Sequence, residues 1–173
     1  LMRMRVRIPR VHFDTLQGDI AFLRLLEEKG VKLQDTPEGI LADGRNVSSF
    51  TGFDVNMRDF SDQALTVASL APFATSGTHI TGIGHIRNQE CDRIHAIVSN
   101  LQSLGIAAEE DPDGVRITPG TPRAAIIQTY DDHRVAMAFS LVGLMTGDIT
   151  IENPTCCKKT FPKYFEILDH LTK

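Results

Sequence analysis

Apolar positions recur at helical spacing in two well-separated stretches. Ile20, Leu23 and Leu26 do so within 19–29, and Ile94, Ile97, Val98 and Leu101 within 91–104. Each stretch runs into a glycine, Gly30 or Gly105, where a helix C-terminal cap belongs. An apolar residue follows each glycine, Val31 or Ile106, and then a turn signal, Pro37-Glu38-Gly39 or Pro112-Asp113-Gly114. Short segments around such turns predict β-hairpins. A second helix is predicted over 62–74 and again over 132–145. Each opens on an Asp suited to N-capping and ends near a glycine, Gly77 or Gly147. β-like stretches follow at 78–83 and 148–152.

The pattern is therefore helix, hairpin, helix, strand, occurring twice with a spacing of 75 residues, Gly30 to Gly105. A third copy begins at Lys159-Thr160-Phe161-Pro162 with a helix predicted over 163–171. Layers of α/β structure reuse helix–strand patterns, but the number of matching Gly, Pro and apolar positions favours a true repeat. The expectation is one globular domain over 1–173 of α/β (α+β) class. Its internal units are placed at about 6–84 and 85–154, with a partial unit at 155–173 whose remaining strands and helix come from outside the chain. The chain opens on Leu1 without an initiator Met, which fits a fragment or a processed product.

Composition narrows the function classes. A hydrophobic share of 42% and a charged share of 23% suit a globular core. Net charge is -4 and Lys and Arg are dispersed, which argues against nucleic-acid binding. The one basic run, Arg3, Arg5, Arg7 and Arg10, has largely the period-2 spacing of a strand's polar face. No apolar run approaches the roughly 20 residues of a membrane span, and no signal peptide is expected. Cys91, Cys156 and Cys157 form no disulfide framework and have no zinc-ligand spacing, so a reducing cytoplasm and no metal are expected.

Four polar segments lie at or just before predicted helix starts. They are Ser61-Asp62-Gln63, Arg87 to Arg93, Tyr130-Asp131-Asp132-His133-Arg134, and Cys157-Lys158-Lys159-Thr160. Singly, each has a plain reading. Asp62 could cap its helix, Glu90 could pair with Arg93 three residues on, and Arg134 could pair with Asp131. His133 could be a satisfied imidazole, and Lys158 and Lys159 a solvated pair. Yet Arg87, Arg93, Arg134, Lys158 and Lys159 all face the positive ends of helix dipoles. That placement makes sense if a polyanion carrying phosphate and carboxylate sits among them.

The same residues resemble the EPSP synthase family. Tyr130-Asp131-Asp132-His133-Arg134-Val135-Ala136-Met137 is similar to its Y-[ND]-D-H-R-x-A-M segment, and Glu90-Cys91-Asp92-Arg93 to its K-E-[ST]-D-R segment. The run from Lys159 through Thr160, Phe161, Pro162, Lys163, Tyr164 and Phe165 resembles K-T-[FY]-P-x-[FY]-[FW]. Gln17-Gly18-Asp19 resembles a Q-G-D opening, and Asp62 matches a catalytic Asp position. The likeness runs from about Val6 to Leu171. It implies one domain of a two-domain enolpyruvyl transferase fold, each domain built of three βαβαββ units, with the chain's N-terminal strand crossing over to complete one of them.

The resemblance also implies a chemistry. The enolpyruvyl group of phosphoenolpyruvate passes to the 5-hydroxyl of shikimate 3-phosphate by addition and elimination, without cofactor or metal. Asp62 is implied to take the hydroxyl proton and Glu90 to protonate the methylene carbon, a role needing a suitably tuned carboxyl. Arg93 and Arg134 are implied to clamp the phosphoenolpyruvate carboxylate, with Lys159 neutralising charge and His133 assisting beside the reacting centre. Gln17 and Gln89 are implied on the substrate side. Gln89 departs from the family's usual Lys, which removes a charge. The complementary N-terminal domain, supplying most of the shikimate 3-phosphate pocket, is the implied partner. Two other readings stand beside this one: a UDP-N-acetylglucosamine enolpyruvyl transferase, whose catalytic Cys loop is not visible here, and a non-catalytic binding or assembly domain.

Overall fold

A computed structural model describes residues 1–172. Three sheets form, each from one continuous stretch of chain. The middle stretch contains β4 (Asp54–Asn56), α2 (Ala64–Leu70), β5 (Thr78–Thr81), α3 (Arg93–Ser103), β6 (Ala108–Asp111) and β7 (Gly114–Ile117). Its strand order is β4-β5-β7-β6, with β4 and β5 parallel and the rest antiparallel. A parallel pair needs a crossover, and α2 supplies it. This stretch is one complete βαβαββ unit.

Its neighbours are partial copies of the same plan. Before it come β1 (Arg5–Pro9), α1 (Ile20–Glu28), β2 (Lys32–Thr36) and β3 (Gly39–Asp43), in the antiparallel order β1-β3-β2. These correspond to the last four elements of a unit. After it come β8 (Ala125–Ile127), α4 (His133–Thr146), β9 (Ile149–Ile151) and α5 (Tyr164–Thr172), with β8 and β9 parallel. These correspond to the first four. The sheets divide the chain at other points than the expected spans do. The spans 6–84 and 85–154 each straddle two sheets, because hairpin and crossover strands of one sheet lie far apart in sequence. β4 and β8, only three residues each, were not anticipated.

The predicted punctuation holds. Gly30 and Gly105 take φ of +96° and +78° past α1 and α3, as a left-handed cap requires. Both hairpins close through two-residue loops, Pro37-Glu38 and Pro112-Asp113. At each, the following glycine lies against a neighbouring strand: a Cβ on Gly39 would be 2.2 Å from the Ile8 carbonyl oxygen, and one on Gly114 would be 2.1 Å from that of Ile80.

The core sits between the sheets and around α2, α3 and α4. Leu65, Val67, Ile80, Ile94, Ile97, Leu101, Val115, Phe139 and Val142 are fully or almost fully enclosed there. α2 packs on α4, and α4 on the turn of 3-10 helix at Pro154–Lys159. The first sheet is covered less well. Val6 remains 48% exposed on the apolar side of β1. The predicted helix 62–74 is shorter than expected. Regular α-helix runs only over α2, between 3-10 turns at Arg58–Gln63 and Ala71–Phe73, the latter containing Pro72. Asp62 does not cap it, because its carboxylate is taken by two arginines described below.

Candidate active site

The starts of α3 and α4 meet the segment before α2 and the Pro154–Lys159 turn at one place. Asp92 caps α3 by accepting from the His95 amide at 3.0 Å, which sets Arg93 as the first helical residue. Asp132 caps α4 by accepting from the Arg134 amide at 2.8 Å. Both caps fix the direction in which the next charged side chain leaves the helix.

Arg93 and Asp132 form the floor. Arg93 is 3% exposed and Asp132 fully buried. The Arg93 Nε donates to Asp132 Oδ2 at 2.8 Å and its second fork nitrogen to Oδ1 at 3.4 Å. Burial opposes charge on Asp132, but hydrogen bonds from Arg93, its positive charge and the Arg134 amide outweigh it. They hold the carboxyl below its ordinary value of 3.8. The remaining guanidinium nitrogen of Arg93 donates to Asp62 Oδ1 at 3.2 Å and to the Gln89 side-chain oxygen.

Above this floor lies a more exposed layer. Arg134 donates to Asp62 Oδ2 at 2.7 Å, so the two guanidiniums grip the two oxygens of a single carboxylate. Glu90 Oε2 accepts from Lys159 Nζ at 2.5 Å and meets His133 Nδ1 at 3.2 Å. The Glu90 carboxylate holds the Lys159 ammonium above the ordinary lysine value, chiefly by that hydrogen bond. Every carboxylate in the cluster is matched by a cation. The outer pairs are worth little in solvent and exchange partners cheaply, whereas the buried pair does not.

The expected residues Asp62, Gln89, Glu90, Arg93, His133, Arg134 and Lys159 therefore converge, although they come from four separate segments. Gln17 does not join them. It stands in the turn before α1, and among the described residues its only side-chain partnered bond is from its backbone N–H to Thr15 Oγ1 at 3.4 Å. That turn abuts the Asp62 segment: Gln63 donates to Asp19 Oδ1 at 2.9 Å, and a Cβ on Gly18 would lie 2.5 Å from the Asp59 carbonyl oxygen. The pairings also differ from the plain sequence readings. Glu90 bonds Lys159 and His133 rather than Arg93, and Arg134 bonds Asp62 rather than Asp131. Asp132, expected as a helix N-cap, is that and also the counter-ion of Arg93. Its sequence signal was an adjacent pair of Asp residues where one cap suffices.

The geometry bears on metal binding and on thiol chemistry. Ligand atoms of Glu90, Asp132 and His133 lie within 4.8 Å of one another. Asp132 spends both oxygens on Arg93 and the Arg134 amide, and Glu90 already holds an ammonium, so the donor set suits organic cations better than a metal ion. Cys91 stands 3.7 Å from Asp132 Oδ2. Burial, aided by that negative charge, pushes its thiol up to about 12. It is a protonated donor at neutral pH and not a nucleophile.

Comparison with known proteins bears on the family and the fold. The family model for EPSP synthase (3-phosphoshikimate 1-carboxyvinyltransferase) matches residues 1–168. The 3-phosphoshikimate 1-carboxyvinyltransferase of Nostoc punctiforme is 43% identical over 161 residues, covering 93% of this chain and 37% of that protein. A 3-phosphoshikimate 1-carboxyvinyltransferase 2 of Halalkalibacterium halodurans is 40% identical over 174 residues, covering 99% of this chain and 38% of that protein. This chain thus spans under two-fifths of the length of these relatives. In fold, it superposes on an EPSP synthase from Acinetobacter baumannii with a TM-score of 0.81 at 23% identity, over 96% of this chain and 41% of that one. It superposes on the enolpyruvyl transferase NikO of Streptomyces tendae with a TM-score of 0.68 at 19% identity, over 96% of this chain and 38% of that one. With the matched residues carrying both the repeat and the charged cluster, this chain belongs to the EPSP synthase family.

Proposed function

We propose that this chain supplies the phosphoenolpyruvate side of an active site that moves an enolpyruvyl group to the 5-hydroxyl of shikimate 3-phosphate. The observation that carries this reading is the Asp62 carboxylate held between Arg93 and Arg134. There two guanidiniums hold the two oxygens of one carboxylate. In the proposed complex the phosphoenolpyruvate carboxylate takes that grip from Asp62. Asp62 is then free to accept the proton of the attacking hydroxyl.

Charge is redistributed in the same step. Lys159 leaves Glu90 for an anionic oxygen of the substrate. The hydroxyl oxygen bonds to C2 of phosphoenolpyruvate while Glu90 delivers a proton to C3. Elimination then breaks the C2–O bond, the electron pair and the hydroxyl proton held by Asp62 leaving with phosphate, while the Glu90 carboxylate takes a proton back from C3. His133, against Glu90, orients that carboxyl in both directions. No step calls for a cofactor. Gln89 lies on the acceptor side as a neutral hydrogen-bonding group, and Gln17, outside the cluster, is assigned no step.

The partner in this reading is the complementary N-terminal portion of such an enzyme, which brings most of the acceptor pocket. The partial first and third units support it, as does an apolar cleft of about 520 Å³ bordered by Val6, Phe50, Phe73 and Leu144. No helix among the described residues is long and apolar enough to cross a membrane, and all three cysteines are free thiols. A reducing cytoplasm suits them.

Phosphate release from phosphoenolpyruvate plus shikimate 3-phosphate tests the proposal. It is measured with this chain alone and after mixing with a separately made N-terminal portion of the Nostoc punctiforme relative. Turnover in the mixture, lowered about 10²-fold or more in Glu90→Ala, is expected. A folded mixture without turnover would count against the assignment and in favour of a binding or assembly domain.

A further inference from the structure

The turn that delivers Asp132, His133 and Arg134 carries an unusual backbone. Tyr130 and Asp131 have φ of +53° and +57°, and the Asp132 amide closes on the Thr129 carbonyl at 2.9 Å. Two consecutive positive φ values closed in this way are the pattern of a type I′ turn, whose central positions favour Asn and Gly. Asp tolerates the left-handed region, but an aromatic residue there is an outlier. A residue held where its backbone is disfavoured is held by its side chain, and both side chains of this turn have partners.

Tyr130 reaches α3. Its ring meets the His95 ring edge-on, with centroids 6.1 Å apart. Its hydroxyl lies 2.8 Å from Ser99 Oγ. Because Ser99 already donates to the His95 carbonyl, the tyrosine is the donor. Asp131 reaches the other way. Its Oδ1 accepts from Asn153 Nδ2 at 3.1 Å. Asn153 in turn accepts from the Thr155 amide and hydroxyl at the start of the Pro154–Lys159 turn. So one central residue of the turn grips the helix that begins with Arg93, and the other grips the segment that ends with Lys159. The turn itself continues into Asp132, the partner of Arg93, and His133, which shares Glu90 with Lys159.

We propose that the Thr129–Asp132 turn is a two-armed brace, in which Tyr130 and Asp131 are positioning residues that fix Arg93 and Lys159 against the start of α4. Neither is hydrogen-bonded to a residue of the cluster, although the Asp131 charge is felt by Lys159. They act by holding α3 and the Pro154–Lys159 turn at a set distance from Asp132 and His133. The brace stands on the contacts of Tyr130 and Asp131, and only its effect on phosphoenolpyruvate rests on the function proposed above.

The test uses the full 173-residue chain. The Arg93 Nε–H resonance is recorded by NMR without ligand, alongside the melting temperature and the affinity for phosphoenolpyruvate. Tyr130→Asn suits the turn's backbone better than the native residue but removes the α3 arm. Its melting temperature should hold or rise while the Arg93 Nε–H signal shifts or broadens, and affinity should fall about tenfold. Tyr130→Phe removes only the hydroxyl contact, and Ser99→Ala removes it together with the Ser99 bond to the His95 carbonyl. Each should move the signal in the same direction by less, and the double variant should do no more than Ser99→Ala alone. Asp131→Gly should leave the Arg93 signal in place and weaken binding through the Lys159 arm. An Arg93 signal unchanged in Tyr130→Asn and Ser99→Ala would overturn the brace, as would changes that merely track a falling melting temperature. If the parent chain binds no phosphoenolpyruvate, the ligand-free signal still decides the brace, and the binding result counts against the proposed function alone.

Discussion

Asp132 and Arg93 set the terms for every other charge in the cluster. Replacing Asp132 by Asn keeps the shape and leaves the buried guanidinium only the partly exposed Asp62 as counter-ion, at a cost of about 3 kcal/mol in unfolding free energy. Urea denaturation at neutral pH measures it. The pH dependence follows from the depressed carboxyl. A group whose folded value lies below its unfolded one stabilises fully above the ordinary value of 3.8, and that contribution drains as pH falls through the lower, folded value. The parent should therefore lose stability more steeply than Asp132→Asn on acidification below that point. Gln89 offers a second residue-scale test. Its oxygen accepts from Arg93, which a Lys cannot do, and Gln89→Lys adds a third cation beside two arginines. Under the proposed function this variant should bind shikimate 3-phosphate more tightly in the complemented protein, by about tenfold, with the gain shrinking as salt is raised. Isothermal titration at two ionic strengths reads both effects.

Elements in this chain are short, and their boundaries depend on close backbone approach more than on propensity. Gly30 and Gly114 separate two reasons for glycine. At Gly30 the backbone is left-handed and a Cβ would have only ordinary contact, 3.6 Å from Val47 Cγ2, so Gly30→Ala should cost about 1 kcal/mol. At Gly114 a Cβ would strike the Ile80 carbonyl 2.1 Å away, forcing β5 and β7 apart. Gly114→Ala should cost more, about 3 kcal/mol, and denaturation midpoints of the two variants check the order. The repeated pattern was legible in sequence because helix period, cap glycine and Pro-x-Gly turn are local features. The cap reading of Asp62 fails for the opposite reason. Its carboxylate is claimed by Arg93 and Arg134, which are 31 and 72 residues away in sequence.

At the scale of the whole molecule, the three sheets are unequally finished. The middle sheet has four strands, while β8 and β9 stand as a pair with Ile126 58% exposed. A two-stranded sheet is marginal by itself. Amide exchange should accordingly be fastest in β8 and β9 and slowest in β5 and β7. Adding the N-terminal portion of a relative should slow exchange in β1 and β9, the strands whose positions correspond to β5 in the middle unit. Exchange mass spectrometry with and without that portion makes the comparison, and protection unchanged at both strands would speak against completion of these sheets from outside.

The sequence by itself determined what depends on neighbours a few positions apart. Those were the two main helices and their caps, the hairpin turns, the repeat period and the set of charged residues gathered at helix starts. It also carried the family likeness, because that likeness is a matter of motifs in order. Only the tertiary structure decided where one unit ends and the next begins, since parallel pairing of β4 with β5 and of β8 with β9 leaves no local mark on three-residue strands. Only the tertiary structure decided the pairing of charges as well. Coulomb attraction acts through space, so Arg93 found Asp132 and Asp62 across the fold instead of Glu90 three residues before it.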